Sequence, residues 1–379
     1  MNPLVSFIVP CYKLAHLLPE CVDSILCQTY GNLEILIMDD CSPDNTSAVA
    51  ATYQDPRIRY VRNDPNLGHL RNYNKGISLA NGEYIWLISA DDKLRKPYIL
   101  ERYVLFMEKN PGAGYAFCPG IGFEDNRETG LLRYAFHGDE DRLFPGHTFF
   151  RKLLNGNSVL AASGMVRREL YQKLGAFPLD MPFGGDWYLW LLFALHYDVA
   201  YVGEPLVLYR QHSLSMTNLL HEADPRICTK DDLRVLWRIK RCAENAGHAE
   251  LAVCVDDYLV DRAAFFLSSA KNKGSKPWYS LKDFEQTVEE NSGSERESQE
   301  IRARVFARVA DDSFWQGDYL KAKSLYALSV STKFFQPKVW LQQLLLRMGA
   351  PGIWIRKAQL LLRRWAGSVK TSSQDKVPI

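Results

Sequence analysis

The first 120 residues alternate between short runs that favour β-strands and longer stretches with helical patterning. The runs that favour strands are residues 5–9, 34–38, 58–61, 84–88 and 114–118. The stretches that favour helices lie between them, around residues 15–28, 43–53, 69–80 and 97–109. Because strands that alternate with helices build βαβ units, this pattern predicts an α/β fold with a mostly parallel sheet.

Acidic and aromatic residues follow three of these predicted strands at the point where each ends. Pro10-Cys11-Tyr12 follows the first strand, Asp39-Asp40 the second and Ala90-Asp91-Asp92 the fourth. In open parallel sheets, ligands bind beyond the carboxyl ends of the strands. Two adjacent carboxylates repel each other, so Asp91-Asp92 is either a solvated turn or a site for something positive. The sequence therefore predicts a functional site at this edge of the sheet.

The later parts of the chain have a different character. Residues 121–165 are rich in glycine and predict loops or short strands that shape an acceptor cleft. Order returns with helices predicted at 166–174 and 187–196 and strands at 199–202 and 206–209. From about residue 225 the pattern is helical. We therefore predict an α/β domain at 1–220, a helical domain at 221–330 and a basic amphipathic C-terminal segment at 331–379.

Composition indicates a soluble globular protein and excludes some classes. Hydrophobic residues make up 47% of the chain and charged residues 24%, and the net charge of +2 does not mark a nucleic-acid binder. The eight cysteines form no C-x-x-C pair. The N-terminal residues lack the pattern of a signal peptide, and no apolar run reaches the roughly 18 to 20 residues that span a bilayer. These features predict a cytoplasmic location.

Several stretches, taken in order, resemble glycosyltransferase family 2, whose nucleotide-binding domain has the GT-A fold, a Rossmann-like mixed sheet. The matching stretches are VSFIVPCYK, SILCQTYGNLEILIMDDCSPDNT, NLGHLRNYNKGISLANGEYIWLISADD, GGDWYLWL and LVLYRQHSLSMT. The resemblance covers roughly residues 4–216. It implies an inverting transfer of a sugar from a nucleotide diphosphate sugar to an acceptor hydroxyl, in bacterial surface polysaccharide or lipopolysaccharide assembly.

The family's acidic D-x-D motif, which holds a divalent metal on the donor diphosphate, reads Ala90-Asp91-Asp92 here, so its first acid is missing. The resemblance implies that Asp92 is a metal ligand and that Asp91 contacts ribose or sugar hydroxyls. Carboxylate oxygens suit Mn²⁺ or Mg²⁺, and such a metal would neutralise charge on the leaving diphosphate. His212 matches a histidine that completes the metal site in several GT-A enzymes, although a lone histidine is often structural.

Four further residues, Pro10, Tyr12, Asp40 and Arg71, match the donor-binding part of the family. Asp40 matches the acid that accepts a hydrogen bond from the ring N–H of the base. A carboxylate can only accept, and uracil and thymine carry this N–H whereas cytosine does not. Asp40 would therefore favour UDP- or dTDP-sugars over cytidine donors. Tyr12, next to Pro10 and Cys11, would stack on the base. Arg71 matches an arginine near the base and phosphates, and its alternative role is that of a surface helix arginine.

An inverting transfer also needs a general base that removes the proton of the acceptor hydroxyl. In the family this is the aspartate of a Glu-Asp pair at the start of a helix. The pair reads Gly185-Asp186 here, so Asp186 is the candidate base and the glutamate is lost. The alternative role for Asp186 is that of a helix N-cap.

The C-terminal segment is basic. Ten Lys and Arg and no acid occur between Asp318 and Asp375. An apolar set (Trp354, Ile355, Leu360, Leu361, Leu362 and Trp365) lies beside a basic set (Arg356, Lys357, Arg363 and Arg364). This predicts a helix on an anionic membrane surface, near a glycan or lipid-linked acceptor; the alternative is a solvated helix packed on the bundle. No aromatic-basic motif indicates RNA binding.

Two other classes of function remain open at this point. Ala90 and Gly185 depart from the family pattern, which also suits a non-catalytic nucleotide-sugar or carbohydrate-binding protein. The helical half, from residue 225 onward, could instead serve as a scaffold for a partner. A nucleotidyltransferase is disfavoured because no glycine-rich, lysine-containing phosphate loop follows the first strand.

Overall fold

The computed structural model describes residues 2–124, 127–213, 215–269, 279–333 and 336–357. The chain divides into two compact units, Met1–Asp256 and Asp257–Ile379. In chain order the strands are β1 Val5–Cys11, β2 Leu33–Asp39, β3 Ile58–Arg62, β4 Tyr84–Leu87, β5 Lys93–Leu94, β6 Ala113–Phe117, β7 Gly120–Glu124, β8 Arg127–Leu131, β9 Arg142–Phe144, β10 Met165–Arg167, β11 Asp198–Tyr201 and β12 Val207–Arg210.

The α-helices between and after these strands are also numbered in chain order. They are α1 Leu18–Leu26, α2 Thr46–Ala51, α3 His69–Leu79, α4 Ile99–Lys109, α5 Gly146–Leu153, α6 Arg168–Leu174, α7 Gly185–His196, α8 Met216–Ala223, α9 Pro225–Asn245, α10 Ala249–Ser269, α11 Leu281–Asn291, α12 Glu295–Trp315, α13 Tyr319–Thr332 and α14 Pro337–Arg347. The predicted division at residue 220 falls inside α8, whereas the boundary between the compact units falls inside α10.

The first unit is built on an eight-stranded sheet in the order β3-β2-β1-β4-β10-β6-β11-β9. Strands β3, β2, β1 and β4 run parallel, and β10 is antiparallel to its neighbours β4 and β6. A smaller sheet has the order β5-β12-β7-β8. The predicted α/β class with a mixed, mostly parallel sheet is confirmed, as is the helical region that follows it.

The core explains why β1 reads as an unbroken apolar run. All seven residues of β1 are buried, as expected for a central parallel strand covered on both faces. Trp86 of β4 stacks between Phe7 and Tyr103, with ring centres 5.3 and 4.8 Å away. Its indole N–H donates to the carbonyl of Ala162 at 2.8 Å. This packing fixes the strand ends at which the polar residues lie.

The predicted elements of the first 120 residues are confirmed, and the differences lie further along. The segment 121–165 contains α5 in addition to the predicted short strands. The helix predicted at 166–174 begins only at Arg168, because Met165–Arg167 form β10 between β4 and β6. The short β5 also escaped prediction, since two residues carry no usable periodicity.

The second unit is helical, with Phe314, Ala322 and Tyr326 in the core between α12 and α13. Residues 350–357 form a further helical stretch. One part of the predicted basic face is wrong: Arg356 is 1% exposed and pairs with Asp311 and the Tyr326 hydroxyl. Leu360, Leu361, Leu362, Arg363, Arg364 and Trp365 lie outside the described residues. Within the described ranges, no helix has the length and apolar character to cross a bilayer.

Candidate functional site

A row of backbone hydrogen bonds aligns the polar residues that follow β1, β2 and β4. The Asp40 N–H donates to the Cys11 carbonyl at 3.0 Å, and the Ala90 N–H donates to the Pro10 carbonyl at 3.2 Å. The parallel register of these strands brings their carboxyl ends together. The three groups predicted to meet at one edge of the sheet do meet there.

An open cavity of about 180 Å³ lies next to this row. One part of its wall is Asp91 and Asp92 after β4; another is Asp186 at the start of α7. Aromatic side chains complete it, among them Tyr73 and Tyr209. The cavity thus brings together three of the carboxylates that the sequence singled out.

Asp91 and His212 form a hydrogen-bonded pair at this cavity. His212 Nε2 lies 2.9 Å from Asp91 Oδ2. The other oxygen, Asp91 Oδ1, is buried and has no hydrogen-bond partner among the described residues. Burial raises the pKa of the Asp91 carboxyl, but hydrogen bonds from His212 and Ser89 outweigh it and hold this pKa below its usual value. Asp91 is therefore an anion with one oxygen free to bind.

Asp92 is in the opposite electrostatic situation. Its Oδ1 accepts a hydrogen bond from the Arg210 N–H at 2.9 Å, and the residue is only 5% exposed. Burial, and then the charge of Asp91, raise the pKa of Asp92 well above its usual value. A cation beside both groups would favour their ionised forms, since opposite charge lowers a carboxyl pKa.

The residues fit a divalent metal only as part of a ligand set. In the described part of the chain, no group of three or more His, Cys, Asp or Glu side chains is arranged to hold a metal. Asp91 Oδ1, without a partner, and the carboxylate of Asp92 offer the oxygen ligands that Mn²⁺ and Mg²⁺ accept. The remaining ligands would have to come from a bound substrate. His212 Nε2 contacts Asp91 instead, so its predicted role as a metal ligand stays a prediction.

Asp40 holds the turn that leads into α3. Its Oδ1 accepts from the Asn63 side-chain amide and the Leu67 N–H, both at 2.8 Å, and its Oδ2 accepts from the Gly68 N–H at 2.9 Å. A carboxylate has about four acceptor positions, so one remains on Oδ2. Asp40 is 3% exposed. Its neighbour Asp39 is structural, because it binds Tyr60, Arg62 and the Ser42 N–H.

The other predicted donor-binding residues lie outside the cavity wall. Pro10 is buried within β1, whereas Tyr12, directly after it, is 43% exposed. The Lys13 ammonium lies 5.0 Å from the centre of the Tyr12 ring, and one ring face is therefore partly covered. Arg71 is exposed in the first turn of α3, directly after the cavity-lining His69 and Leu70. Their predicted contacts with a nucleotide stay predictions.

Asp186 lies at the start of a helix that is apolar on every side. Its Oδ1 accepts from the Trp187 N–H at 2.7 Å and its Oδ2 from the Asn157 side-chain amide at 2.9 Å. Burial raises the pKa of the Asp186 carboxyl to about 6. The N-cap position of α7 belongs to Gly184 and not to Asp186, but Asp186 does satisfy one N–H of the first turn, that of Trp187. The carboxylate is held in place by two donors and lies in the cavity wall.

Asp231 of α9 is one of the residues near this site that the sequence did not reveal. Its Oδ2 accepts from the backbone N–H groups of Phe183, at 2.7 Å, and Gly184, at 3.1 Å. These donors directly precede Gly185 and Asp186, and Asp231 is fully buried. Asp231 therefore supports the chain that enters α7. Only its place in a helical stretch is visible from sequence, since it lies beyond the motifs that resemble a family.

Gly185 shapes the cavity next to Asp186. A Cβ atom at this position would lie 3.3 Å from Cδ1 of Phe177 and 3.7 Å from Cδ2 of Leu70. All three residues line the cavity. A glutamate here would project among these apolar groups, so its loss leaves this wall open and apolar.

This chain is similar to known proteins in both sequence and fold. The model for glycosyl transferase family 2 matches residues 6–175. An uncharacterized glycosyltransferase of Rickettsia typhi, RT0329, is 30% identical over 223 residues, which cover 57% of this chain and 67% of that protein. Glycosyltransferase GlyG of Streptococcus pneumoniae is 26% identical and covers 57% of this chain and 73% of its own. The fold is similar to that of S. aureus TarS 1–349 in complex with UDP-GlcNAc (TM-score 0.58, 17% identity, 86% of this chain and 90% of that one).

Proposed function

We propose that this chain moves the sugar of a UDP- or dTDP-sugar to an acceptor hydroxyl with inversion. The chain belongs to glycosyltransferase family 2 and is a glycosyltransferase with a nucleotide-sugar donor. The single observation that carries this proposal is the cavity shared by Asp91, Asp92 and Asp186. It places a potential cation site and a potential base around one open space, as a displacement at a sugar carbon requires.

Asp186 is the proposed base. With a pKa of about 6 it is ionised at pH 7.5, yet it binds a proton more strongly than an ordinary aspartate does. The donors Trp187 N–H and Asn157 Nδ2 fix the orientation of the carboxylate. Asp186 would accept the proton of the acceptor hydroxyl while the oxygen of that hydroxyl forms a bond to the anomeric carbon. The nucleoside diphosphate would leave from the opposite face of the sugar.

Asp91 and Asp92 are proposed to bind the donor diphosphate together with Mn²⁺ or Mg²⁺. The metal would neutralise the negative charge that develops on the leaving diphosphate. His212 holds Asp91 Oδ2, which leaves Asp91 Oδ1 as the oxygen that would bind the metal or the hydroxyls of ribose or sugar. Asp92, through its hydrogen bond with the Arg210 N–H, links this site to β12.

Asp40 and Tyr12 are proposed to select the base. The acceptor position that remains on Asp40 Oδ2 suits the ring N–H of uracil or thymine, which cytosine lacks. The exposed ring of Tyr12 follows the strand that hydrogen-bonds to Asp40, and it could stack on that base. Arg71 supplies an exposed positive charge at the N-terminal turn of α3, where a phosphate would be favoured. The solved complexes of S. aureus TarS with UDP and UDP-GlcNAc are consistent with this choice of nucleotide.

The acceptor is proposed to be a glycan or a lipid-linked saccharide in bacterial surface polysaccharide or lipopolysaccharide assembly. The cavity wall carries Tyr73, Phe177, Trp190 and Tyr209, and such rings suit the apolar faces of sugars. The enzyme would act at the cytoplasmic face of the membrane. In this scheme residues 1–220 carry out the chemistry, residues 221–330 are the helical domain and residues 331–379 are the segment that faces the membrane.

The test combines binding with turnover. Thermal shifts of the full chain are measured with UDP, thymidine diphosphate, CDP and GDP, with and without Mn²⁺, and inversion is followed by NMR of the product. We expect a metal-dependent shift with the uracil or thymine nucleotides that is lost in Asp92→Ala. The exposed Asp139→Asn is the matched control and keeps the shift.

Two results would contradict the proposal in different ways. A nucleotide-dependent shift without any transfer to a panel of saccharide acceptors would favour a non-catalytic binding protein. No shift with any nucleotide, together with recruitment of a protein partner by the helical half, would favour a scaffold. A product with retained configuration would overturn the inverting mechanism alone.

A further inference from the structure

Helix α14 exposes apolar side chains and buries polar ones. Gln342 and Gln343 are only 4% and 7% exposed. In the described part of the chain, Gln342 Oε1 has no hydrogen-bond partner. In contrast, Leu341 and Leu344 are 44% and 56% exposed, and Met348, directly after the helix, is 50% exposed. Leu345 is buried and Val339 and Leu346 pack on the core, so α14 has one apolar face toward the protein and presents further apolar residues to solvent.

The exposed apolar residues lie on one side of α14. Residues 341, 344 and 348 are spaced by three and four positions, so they line up along the helix. At about 100° per residue, they and the partly exposed Trp340 fall within one arc of about 100°. We call Leu341, Leu344 and Met348 the apolar stripe. Leaving such a stripe in water is unfavourable, so we expect an apolar partner to cover it.

The charges beside the apolar stripe indicate what that partner is. Lys338 and Arg347 are exposed, and helical geometry places Lys338 about 60° beyond one edge of the arc and Arg347 about 20° beyond the other. The helical stretch that follows adds Trp354, which is 74% exposed, and the exposed Lys357. No acid occurs between Asp318 and Asp375. The partner is therefore apolar where it meets the stripe and negatively charged around it.

A second copy of this chain does not fit that description. In a symmetric dimer the same patch faces itself, so the basic residues beside one stripe would face those of the other. Such like-charge contacts are unfavourable. An anionic phospholipid surface has the required order of layers, with acyl chains below a plane of phosphates, and basic helices with exposed tryptophan bind it.

We infer that α14 binds an anionic membrane, with the apolar stripe among the acyl chains and Lys338 and Arg347 at the level of the phosphates. This deepens the proposed membrane setting by naming its contact surface, and it changes the predicted surface, because Arg356 is excluded from it. The inference does not depend on sugar transfer. Vesicle binding and sugar transfer are measured separately, and either can fail alone.

The experiment is sedimentation of the full chain with vesicles. Wild type is compared with the double variant Leu341→Glu/Leu344→Glu. Each protein is mixed with vesicles of pure phosphatidylcholine and with vesicles that contain about 30% phosphatidylglycerol, an anionic lipid whose negative charge attracts basic segments. We expect binding to the anionic vesicles only, reduced at least about tenfold in the double variant. Phe265→Glu, at a 58% exposed residue of the same unit, is the matched control and keeps binding.

A second pair of variants tests the charges. Lys338→Glu/Arg347→Glu should weaken binding by about tenfold or more, because each basic residue near an anionic surface contributes about 1 kcal/mol, and added salt should weaken wild-type binding likewise. Unchanged binding by both double variants would overturn the inference and assign binding to another segment. A wild-type dimer that Leu341→Glu/Leu344→Glu converts to a monomer, with no vesicle binding, would assign the stripe to a second copy instead.

Discussion

Asp186→Asn should abolish sugar transfer and at the same time stabilise the protein. Burial raises the pKa of the Asp186 carboxyl from 3.8 to about 6. Each pKa unit corresponds to about 1.4 kcal/mol, so the ionised carboxylate costs the fold about 3 kcal/mol at neutral pH. An asparagine has no charge to bury. Its side-chain oxygen can still accept from the Trp187 N–H, and a flip of the Asn157 amide restores the second hydrogen bond but gives up the bond that Asn157 Oδ1 accepts from the Val159 N–H.

Proton binding to Asp186 determines how the stability of the wild-type protein changes with pH. Between pH 3.8 and about 6 the folded protein holds a proton on Asp186 that the unfolded chain has lost, so stability falls as the pH rises through this window. The difference between Asp186→Asn and wild type should therefore be small below pH 4 and reach about 1 to 3 kcal/mol above pH 6. The lower bound allows for partial access of solvent to the carboxylate.

The assay is urea unfolding of both proteins at pH 4 and pH 7.5, alongside initial rates of sugar transfer. The Asp139→Asn control should change neither quantity. Wild-type kcat should rise through pH 6 as Asp186 ionises. The reasoning is refuted if Asp186→Asn is less stable than wild type at pH 7.5, since the carboxylate then carries no burial cost. Transfer at the wild-type rate would place the base elsewhere.

Three other predictions concern different parts of the molecule. Asp231→Ala leaves the N–H groups of Phe183 and Gly184 without their acceptor. Urea unfolding should show that the free energy of unfolding falls by about 2 to 4 kcal/mol. A fall of less than about 0.5 kcal/mol would mean that the two hydrogen bonds contribute little. Arg356→Ala leaves the carboxylate of Asp311 without its buried cation, and a drop of about 2 kcal/mol or more is expected in the same measurement; an unchanged midpoint contradicts it. His196 is exposed, but partial desolvation of its ring, and then neighbouring histidines, lower its pKa. The small stability that it adds is therefore present above about pH 6.5 and lost as the pH falls. Thermal unfolding between pH 5 and 7.5 should be slightly flatter in His196→Gln, and parallel curves would refute it.

The sequence was sufficient for the sheet edge because strand ends are local features. The apolar runs that become β1, β2 and β4 are buried on both faces, and each stops where the polar residues begin. Parallel pairing then brings those ends together, as predicted. The strand β10 could not be predicted in this way. Its three residues form a strand only because β4 and β6 lie on either side of them, and that environment is set by distant parts of the chain.

The charge states of the acids were also beyond the sequence. Asp91 and Asp92 are adjacent and identical in type, yet hydrogen bonds from His212 and Ser89 lower the pKa of one while burial raises that of the other. Likewise, Arg356 reads as part of a basic face in the sequence. In the fold it is buried against Asp311. A side chain's role in both cases depends on partners that sequence spacing does not identify.

The contacts of Asp231 extend the unit that holds the proposed base past the segment that the family model matches. That match ends at residue 175, before α7 supplies Asp186 and before α9 supplies the carboxylate that holds the entry to α7. Backbone N–H groups that are removed from water need acceptors, and those of Phe183 and Gly184, directly before α7, find one in Asp231. An aspartate from a later helix thus fixes the turn that leads into Asp186. The region after residue 220 therefore contributes to the position of the proposed base, and α9 cannot be treated as a separate scaffold.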